Sequence, residues 1–407
     1  MQTKDKNISW FWFVILILQY YVDGTILMAL IVLNIFYFCK FKLPKCNELG
    51  LTSLFLLLVA GAGLGLCYIN NYQIRDYIRD IYYYLQPIIY IYAGYIIYLK
   101  CKDEYIFFRT VCYAATVLAL IYAVNLLQNP TLLTRDTVIG IRQDVGKEQF
   151  ILLVATVFLA TKKHIFSPKV QLILLGLIGG IFALQFSRTA YGTLAIIALV
   201  LFIQAGKLTV SLVKKIGLIL FAVVIFWNIL PNNLTTDFMM RIMRSLTEVS
   251  ADETFKTLQD IQSNWRGYEN HIVMKEVFEE GNFLNTLMGY GFGKTASLFG
   301  YVVNLGGNDF SNISTFHNGY LIVLLKNGVI GLSIYLSFFF RTIRYNWRHN
   351  AYESKLATAF AFGMLFMTYT KGGILRGSSV LEFCLIIGYA AGVRQKILKS
   401  ENSLERV

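Results

Sequence analysis

His317 is the residue of this sequence best suited to move a proton. It closes a long hydrophilic stretch, residues 231–316, and opens an apolar run in the segment 317–321, His-Asn-Gly-Tyr-Leu. Histidine is the side chain whose ordinary pKa lies closest to neutrality, which suits a general base. A lone histidine is more often structural, but this position at the boundary between a polar loop and an apolar segment favours a catalytic residue. His271 is a weaker candidate.

Arginines in the polar segments form a second set that could do chemistry. A guanidinium presents a planar fork of donors that binds phosphate oxygens bidentately. Arg188 lies in a short turn, Ser-Arg-Thr, without an acidic residue nearby, and Arg266 lies in the long hydrophilic stretch. The weaker candidates are Arg75, Arg79, Arg142, Arg241, Arg244 and Arg376, the last of which shares its turn with Lys371. If several of them converge on one cavity, they would bind a multiply charged anion such as pyrophosphate.

Two of these arginines have a competing interpretation. Arg75 and Arg79 repeat with a spacing of four, and so do Asp76 and Asp80. On a helix this spacing places like residues on one face and allows internal ion pairs. Glu382 lies within the last apolar run, where an ionisable residue is expected to be functional. We expect it to pair with one of the arginines or, alternatively, to act as a base.

The elements that must position these residues are apolar helices. The chain is 56% hydrophobic and 15% charged, whereas soluble domains carry roughly 25% charged residues. This composition predicts an all-α integral membrane protein with about twelve transmembrane helices. The predicted spans are 8–22, 25–39, 49–69, 81–99, 105–127, 149–161, 169–186, 190–204, 213–230, 318–340, 355–370 and 379–393.

The spans divide the chain into three parts. Residues 1–230 form nine spans, residues 231–316 form one large loop between the ninth and tenth spans, and residues 317–407 form three spans and a tail. Most Lys and Arg residues of the short loops fall on one side of this arrangement, which predicts that both termini are cytoplasmic and that the large loop faces outward.

The net charge of +13 would suggest nucleic acid in a soluble protein. Here we interpret it as an orientation signal that also contacts anionic lipid, and we predict no nucleic-acid partner. The sequence contains no Asp-x-Asp, no His-Glu-x-x-His and no cluster of Cys and His. We therefore predict neither a metal site nor a cofactor.

The large loop contains two predicted helices and one glycine-rich segment. Phe238, Ile242 and Leu246 predict one amphipathic helix, and the run from Trp265 to Phe278 predicts another. The segment 289–295, Gly-Tyr-Gly-Phe-Gly-Lys-Thr, has some likeness to a phosphate-binding loop. It lacks the required first glycine, so we expect a turn that returns the chain to the membrane. Lys326, before Asn-Gly, is expected to mark a kink.

These motifs, taken in order, resemble the superfamily of O-antigen polymerases and O-antigen ligases. The resemblance rests on three short motifs: the Ser-Arg-Thr turn at Arg188, the outward loop with Arg266 and the segment 289–293, and the pattern His-Asn-x-x-Leu at His317 followed by Gly328-x-x-Gly331. With the twelve-span layout it covers nearly the whole chain. It is moderately specific in its order and placement, and it does not identify the sugar.

The resemblance implies an activity in the bacterial cytoplasmic membrane. The donor would be a glycan linked to undecaprenyl pyrophosphate, and an acceptor hydroxyl would attack its anomeric carbon with inversion and without a metal. His317 would be the base, Arg188 and Arg266 would hold the pyrophosphate, and a chain-length regulator protein would be a possible partner. The acceptor distinguishes two interpretations of this activity, because a polymerase extends repeat units and a ligase transfers glycan to lipid A-core or protein. A lipid-linked oligosaccharide flippase or other transporter is the alternative from another class.

Overall fold

The computed structural model describes residues 3–45, 50–101, 103, 105–129, 149–205, 232–247, 255–305, 308–375 and 380–404. Within these ranges the protein is mostly helical, as predicted. Every predicted span that falls in them overlaps a helix, although the helix in the predicted span 8–22 already ends at Leu18. The predicted span 213–230 lies outside the described ranges.

Eight α-helices and a 3₁₀ turn at Ile69–Asn71 precede the long hydrophilic stretch in the described ranges. Pro168 begins one of them, at a position where its missing N–H costs nothing. The fourth helix begins seven residues before the predicted span, so that Arg75 to Asp80 form its first turns. The helices are α1 (Thr3–Leu18), α2 (Gly24–Cys39), α3 (Leu51–Cys67), α4 (Ile74–Lys100), α5 (Tyr105–Gln128), α6 (Phe150–Thr161), α7 (Pro168–Leu184) and α8 (Arg188–Ala205).

The large loop is built from short helices and two pairs of very short strands. The helices are α9 (Asn232–Thr247), α10 (Leu258–Ser263), α11 (Trp265–Met274) and α12 (Phe283–Met288), with a π-helical turn at Lys275–Glu279. The strands are β1 (Ala296–Ser297), β2 (Val303–Leu305), β3 (Asn308–Phe310) and β4 (Asn312–Ile313), and the antiparallel pairs are β1 with β4 and β2 with β3. These strands were not predicted, because two or three residues are too short for an alternating pattern.

In the described part of the chain, three α-helices follow the loop: α13 (Gly319–Trp347), α14 (Tyr352–Lys371) and α15 (Leu381–Leu404), with a 3₁₀ turn at Gly373–Leu375. Helix α13 is interrupted at Gly328, whose φ of 66° and ψ of −167° are not helical. The rings of Tyr320 and Tyr335 lie 6.2 Å apart, whereas fifteen residues of straight helix would separate them by about 22 Å. The two halves of α13 therefore meet at a sharp bend, as expected for the Asn327-Gly328 sequence.

Three of the described helices are long and apolar enough to cross a membrane: α5, α8 and α13. Five shorter apolar helices lie at Asn7–Leu18, Gly24–Cys39, Leu51–Cys67, Phe150–Thr161 and Pro168–Leu184. Several of these helices expose large apolar side chains, including Leu33 on α2 and Ile173 on α7, which are 65% and 69% exposed. Such a surface suits hydrocarbon better than water. The arrangement of twelve spans stays a prediction.

Two glycines allow α4 and α15 to pack closely against each other. A Cβ added to Gly388 would lie 1.8 Å from the carbonyl oxygen of Ile91, and one added to Gly94 would lie 2.1 Å from that of Leu385. Glycines at such contacts let two helix backbones approach each other, a common way to join helices in a membrane. The α4–α15 contact thus depends on residues that contribute almost no surface of their own.

Replacing Gly388 with Ala should therefore lower thermal stability, because the added methyl group has no space beside α4. Overpacking of this kind costs about 1–3 kcal/mol. The control is Gly180→Ala on α7, where an added Cβ meets nothing within 4 Å. Thermal unfolding of both variants in the same detergent measures the difference. Equal midpoints for the two variants would contradict the proposed contact.

Candidate functional site

His317 forms a pair with a buried carboxylate. Its ring Nδ1 lies 3.0 Å from Oε1 and 3.2 Å from Oε2 of Glu269, and its backbone N–H donates to Oε2 at 2.8 Å. The indole Nε1–H of Trp265 donates to Oε1 at 2.8 Å. A carboxylate only accepts hydrogen bonds, so Nδ1 carries a proton and the lone pair of the neutral ring lies on Nε2. The His317 side chain is 39% exposed, while that of Glu269 is 2% exposed.

Local capping holds both members of this pair. Asn318 caps α13, since its side-chain oxygen accepts from the N–H of Tyr320 at 3.0 Å. Asn264 caps α11 in the same way, accepting from the N–H of Gly267 at 3.0 Å. Asparagine is among the preferred residues at this position. The two caps fix where each helix starts. They therefore also fix the position of His317, which directly precedes Asn318, and that of Glu269, which lies on α11.

Tyr268 anchors α11 on the rest of the loop. Its hydroxyl donates to the carbonyl oxygen of Leu298 at 2.7 Å. Burial, together with the nearby hydroxyl of Tyr301, raises the pKa of Tyr268 to about 12. The phenol therefore stays protonated and remains a donor over the ordinary pH range. The predicted apolar face of this helix is present, with Tyr268 and Ile272 buried.

Glu269 is the functional candidate that the sequence did not reveal. Its sequence neighbours show an ordinary polar helix, and an isolated glutamate carries no signal for burial. The contact with His317 joins residues 48 positions apart. The one available indication was its position four residues after Trp265, which allows the indole to reach it on a helix.

Arg188 lies at the same end of the helix bundle as His317. Gly192 of α8 abuts Phe366 of α14, and Ile197 abuts Gly363, so the two helices are antiparallel. The start of α8 therefore lies beside the end of α14. There, Gly372 contacts Gly319, two residues after His317. We call this region, where α8 and α13 begin and α14 ends, the His317 end.

These elements place two of the predicted arginines, and one lysine that was not among the candidates, at or near the His317 end. Arg188 begins α8, and its side chain is partly buried. Lys371 ends α14, and its Nζ lies 4.8 Å from the ring centroid of Phe150. Arg266 lies on α11, three residues before Glu269, and is partly buried. The structure thus places the two principal arginines on the elements that adjoin the histidine.

Helix α9 packs against the turn that precedes Arg188. The ring of Phe238 lies 5.9 Å from that of Phe186 and 5.8 Å from that of Tyr191. The sequence predicted this helix and placed Phe238 on its apolar face, and Phe238 is buried. Arg241 and Arg244 belong to α9, but their side chains are outside the described part of the chain. Arg142 and Arg376 are outside the described residues altogether.

The arginines at the start of α4 differ from each other. Arg75 is exposed. Arg79 instead pairs with acids, as the competing interpretation held: its Nη1 lies 2.7 Å from Oδ1 of Asp76, and its Nη2 lies 3.7 Å from Oδ1 of Asp80. These contacts reduce the positive charge that Arg79 could offer to an anion.

Glu382 is buried at the start of α15, and it contacts neutral donors. Gln19 Nε2 donates to Oε1 at 2.5 Å, and the hydroxyl of Tyr20 donates to the same oxygen at 2.9 Å. Among the described residues no arginine pairs with this carboxyl, so the expected ion pair is not seen there. The ring of the next residue, Phe383, lies 5.9 Å from the ring of Phe150. This contact places Glu382 at the His317 end, inside the bundle.

Lys326 closes the break in α13 with a buried ion pair. Its side chain has no exposed surface, and its Nζ donates to Oδ2 of Asp80 at 2.5 Å and to the carbonyl oxygen of Lys294. The same Asp80 oxygen accepts from the N–H of Gly293 at 2.8 Å. One carboxylate therefore joins α4, the loop and α13.

The segment 289–293 acts as a cap for the first half of α13. Its backbone N–H groups donate to the carbonyl oxygens of Leu325 and Lys326, each at 2.9 Å, which the bend deprives of their helical partners. The N–H of Phe292 donates to Gly61 of α3 at 2.9 Å. Because these N–H groups are engaged within the protein, the segment is not arranged to bind a phosphate. It returns the chain to the helices, as predicted.

Replacing Lys326 with Met should lower the free energy of unfolding by about 3–5 kcal/mol, because Asp80 then stays buried without its main cation. Adding Asp80→Asn to the same chain should recover part of this loss. The control is Lys396→Met, which removes an exposed lysine of α15. Thermal unfolding in detergent checks all three. A double variant less stable than the single one by a further full increment would contradict the pairing.

Comparison of the chain with protein-family models and with curated proteins gave no match. The resemblance to O-antigen polymerases and ligases therefore depends on the three short motifs alone. The argument for function rests on the geometry around His317.

Proposed function

We propose that this protein is a membrane glycosyltransferase that polymerises O-antigen or capsular repeat units. It would act at the outer face of the bacterial cytoplasmic membrane, with about twelve spans, cytoplasmic termini and an outward-facing loop. The donor would be a glycan on undecaprenyl pyrophosphate, and the acceptor a hydroxyl of another lipid-linked repeat unit. The observation that supports this proposal most is the contact between His317 and Glu269, because it prepares a partly exposed imidazole to accept a proton.

In this proposal, His317 activates the acceptor. Nε2 accepts the proton of the acceptor hydroxyl while the oxygen forms a bond to the anomeric carbon of the donor. The bond between that carbon and the pyrophosphate oxygen breaks, so the configuration inverts and the lipid pyrophosphate leaves with the electron pair. Glu269 stabilises the positive charge that develops on the imidazole. The proton then passes from Nε2 to water.

The leaving group gains negative charge as this bond breaks. Arg188, Arg266 and Lys371 lie on elements at or beside the His317 end and would neutralise it. Arg75, Arg241, Arg244, Arg142 and Arg376 would be further contributors. Arg79 would contribute less than its full charge, because it pairs with Asp76 and Asp80. This arrangement suits a large anion held next to a base, which is what transfer from a lipid pyrophosphate requires.

A transporter is the second candidate, and the broken α13 favours it. Transporters of several folds use interrupted helices, in matching positions of two repeated halves, to bind their substrates. Among the described helices, however, α13 is the one with a non-helical residue inside it, and the sequence shows no repeat. A transporter also gives no role to a carboxylate that orients an exposed histidine.

The catalytic role is tested by three alanine variants: His317→Ala, Arg188→Ala and Arg266→Ala. Each should leave the protein in the membrane and abolish polymer. For His317 the reason is that a general base contributes about 10²–10⁴-fold, and for the two arginines it is the loss of the positive charge that stabilises the leaving group. The measurement is the glycan ladder of cells that depend on the variant, separated on a gel. Normal chain lengths from all three would end the assignment.

Glu269→Gln tests the positioning of the imidazole. The amide has one acceptor oxygen where three donors now meet two carboxylate oxygens, so polymer should fall sharply while the amount of protein stays the same. The matched control is Glu279→Gln, an exposed glutamate ten residues later. Equal ladders from the two variants would remove Glu269 from the mechanism.

The acceptor is tested with purified protein in vesicles and a single synthetic lipid-linked repeat unit. A polymerase should convert it to a ladder of products. A ligase would leave it unchanged and transfer one glycan only when lipid A-core or a protein acceptor is added. A transporter would move the compound across the vesicle membrane without changing its mass.

A further inference from the structure

An open groove runs between α1 and α5, away from the site described above. Its volume is about 540 Å³, and its lining includes Trp10, Phe13, Tyr113 and Thr116. Along α5 it extends from Thr110 to Val117, or about 10 Å of helix. Trp10 is 67% exposed and Tyr113 is 51% exposed, although both carry large aromatic rings.

The walls of the groove suit a hydrocarbon chain. The rings of Trp10 and Phe13 are stacked, with centroids 5.3 Å apart. The hydroxyls of Ser9 and Thr110 lie 2.8 Å from each other, and the latter also donates to the carbonyl oxygen of Ile106. The polar atoms of the groove floor are thus already paired with each other or with the backbone.

The groove lies about halfway between the His317 end and the opposite end of the bundle. Directly after α1, Gln19 and Tyr20 reach Glu382. Helix α5 continues to Tyr122, whose hydroxyl donates to Leu184, close to Arg188. The groove is formed by Ser9 to Phe13, around the middle of α1, and by Thr110 to Val117, which lead from near the start of α5 towards its middle. In the proposed topology the starts of both helices are cytoplasmic.

Two cations lie near the end of the groove that points away from His317. Arg109, one turn before Tyr113, donates from Nε to the carbonyl oxygen of Ile165 at 2.9 Å. In the same turn between α6 and α7, the ring of Phe166 lies 5.3 Å from that of Tyr113. This turn also carries the exposed Lys163. Asp103 lies 3.6 Å from Arg109 and offsets part of its charge. Lys163 adds a second positive charge in this region.

We propose that this groove binds an anionic phospholipid of the inner leaflet. One acyl chain lies between α1 and α5, and the phosphate lies at Arg109 and Lys163. The charge at the mouth favours an anionic headgroup over a zwitterionic one. The proposal rests on the membrane location given under the proposed function, and it does not depend on glycan transfer.

Native mass spectrometry of the purified protein tests this site. The protein in detergent is incubated with equal amounts of phosphatidylglycerol and phosphatidylethanolamine, and the retained lipids are counted. The wild type should retain phosphatidylglycerol preferentially. Arg109→Gln and Lys163→Gln should each lower that retention about fivefold, the effect of one basic residue near a charged headgroup. Lys396→Gln, which removes an exposed lysine away from the groove, should not.

The groove itself is tested by filling it. Thr116→Leu should displace the acyl chain and lower retention of both lipids. Thr116→Val should not, because valine is about as large as the threonine that it replaces. Gel filtration checks that each variant is folded, and Lys163→Gln alters only an exposed side chain. Equal retention of the two lipids by the wild type, or equal effects of Lys163→Gln and Lys396→Gln, would overturn the proposal. Lipid retention without glycan transfer would overturn the proposed function alone.

Discussion

A helix that bends inside an apolar bundle must find donors for the carbonyl oxygens it frees. Helix α13 bends at Gly328, and the segment 289–293 supplies N–H groups to Leu325 and Lys326. Backbone groups left unsatisfied in an apolar surrounding cost several kcal/mol each. This requirement explains why the large loop carries the glycine-rich segment 289–293 and why that segment returns to the bundle before α13 begins. The buried ion pair of Lys326 with Asp80 adds a second connection at the same place.

The bend links the loop to the position of His317. The first half of α13 is short, and it is held at its start by Asn318 and at its end by the returning segment. A short helix fixed at both ends presents the histidine at a definite place. Glu269 reaches it from α11, which belongs to the loop. Burial of this carboxylate is tolerable because three donors meet its two oxygens.

The two ends of the bundle differ in chemistry. The His317 end collects polar groups inside the protein, including Glu382 with Gln19 and Tyr20. The opposite end carries cations and aromatic rings on the surface. Lys162 is an exception there: it is buried beside the rings of Phe108 and Tyr352 and pairs with Glu353 at 2.7 Å. We interpret the basic residues of this side as an orientation signal, and one of them, Lys162, also makes a structural contact.

Helical class, the place of most helices, the loop and the candidacy of His317 follow from the sequence, because hydropathy and helix signals are local. The partner of His317 does not. Glu269 lies 48 residues away, and nothing near it marks it for burial. The same holds for Asp80, whose neighbour Arg79 suggested an anion site while its main partner, Lys326, lies 246 residues further along. The order of residues limits which groups can be buried, but which of them meet depends on how helices pack, and packing joins residues whose separation along the chain carries no signal.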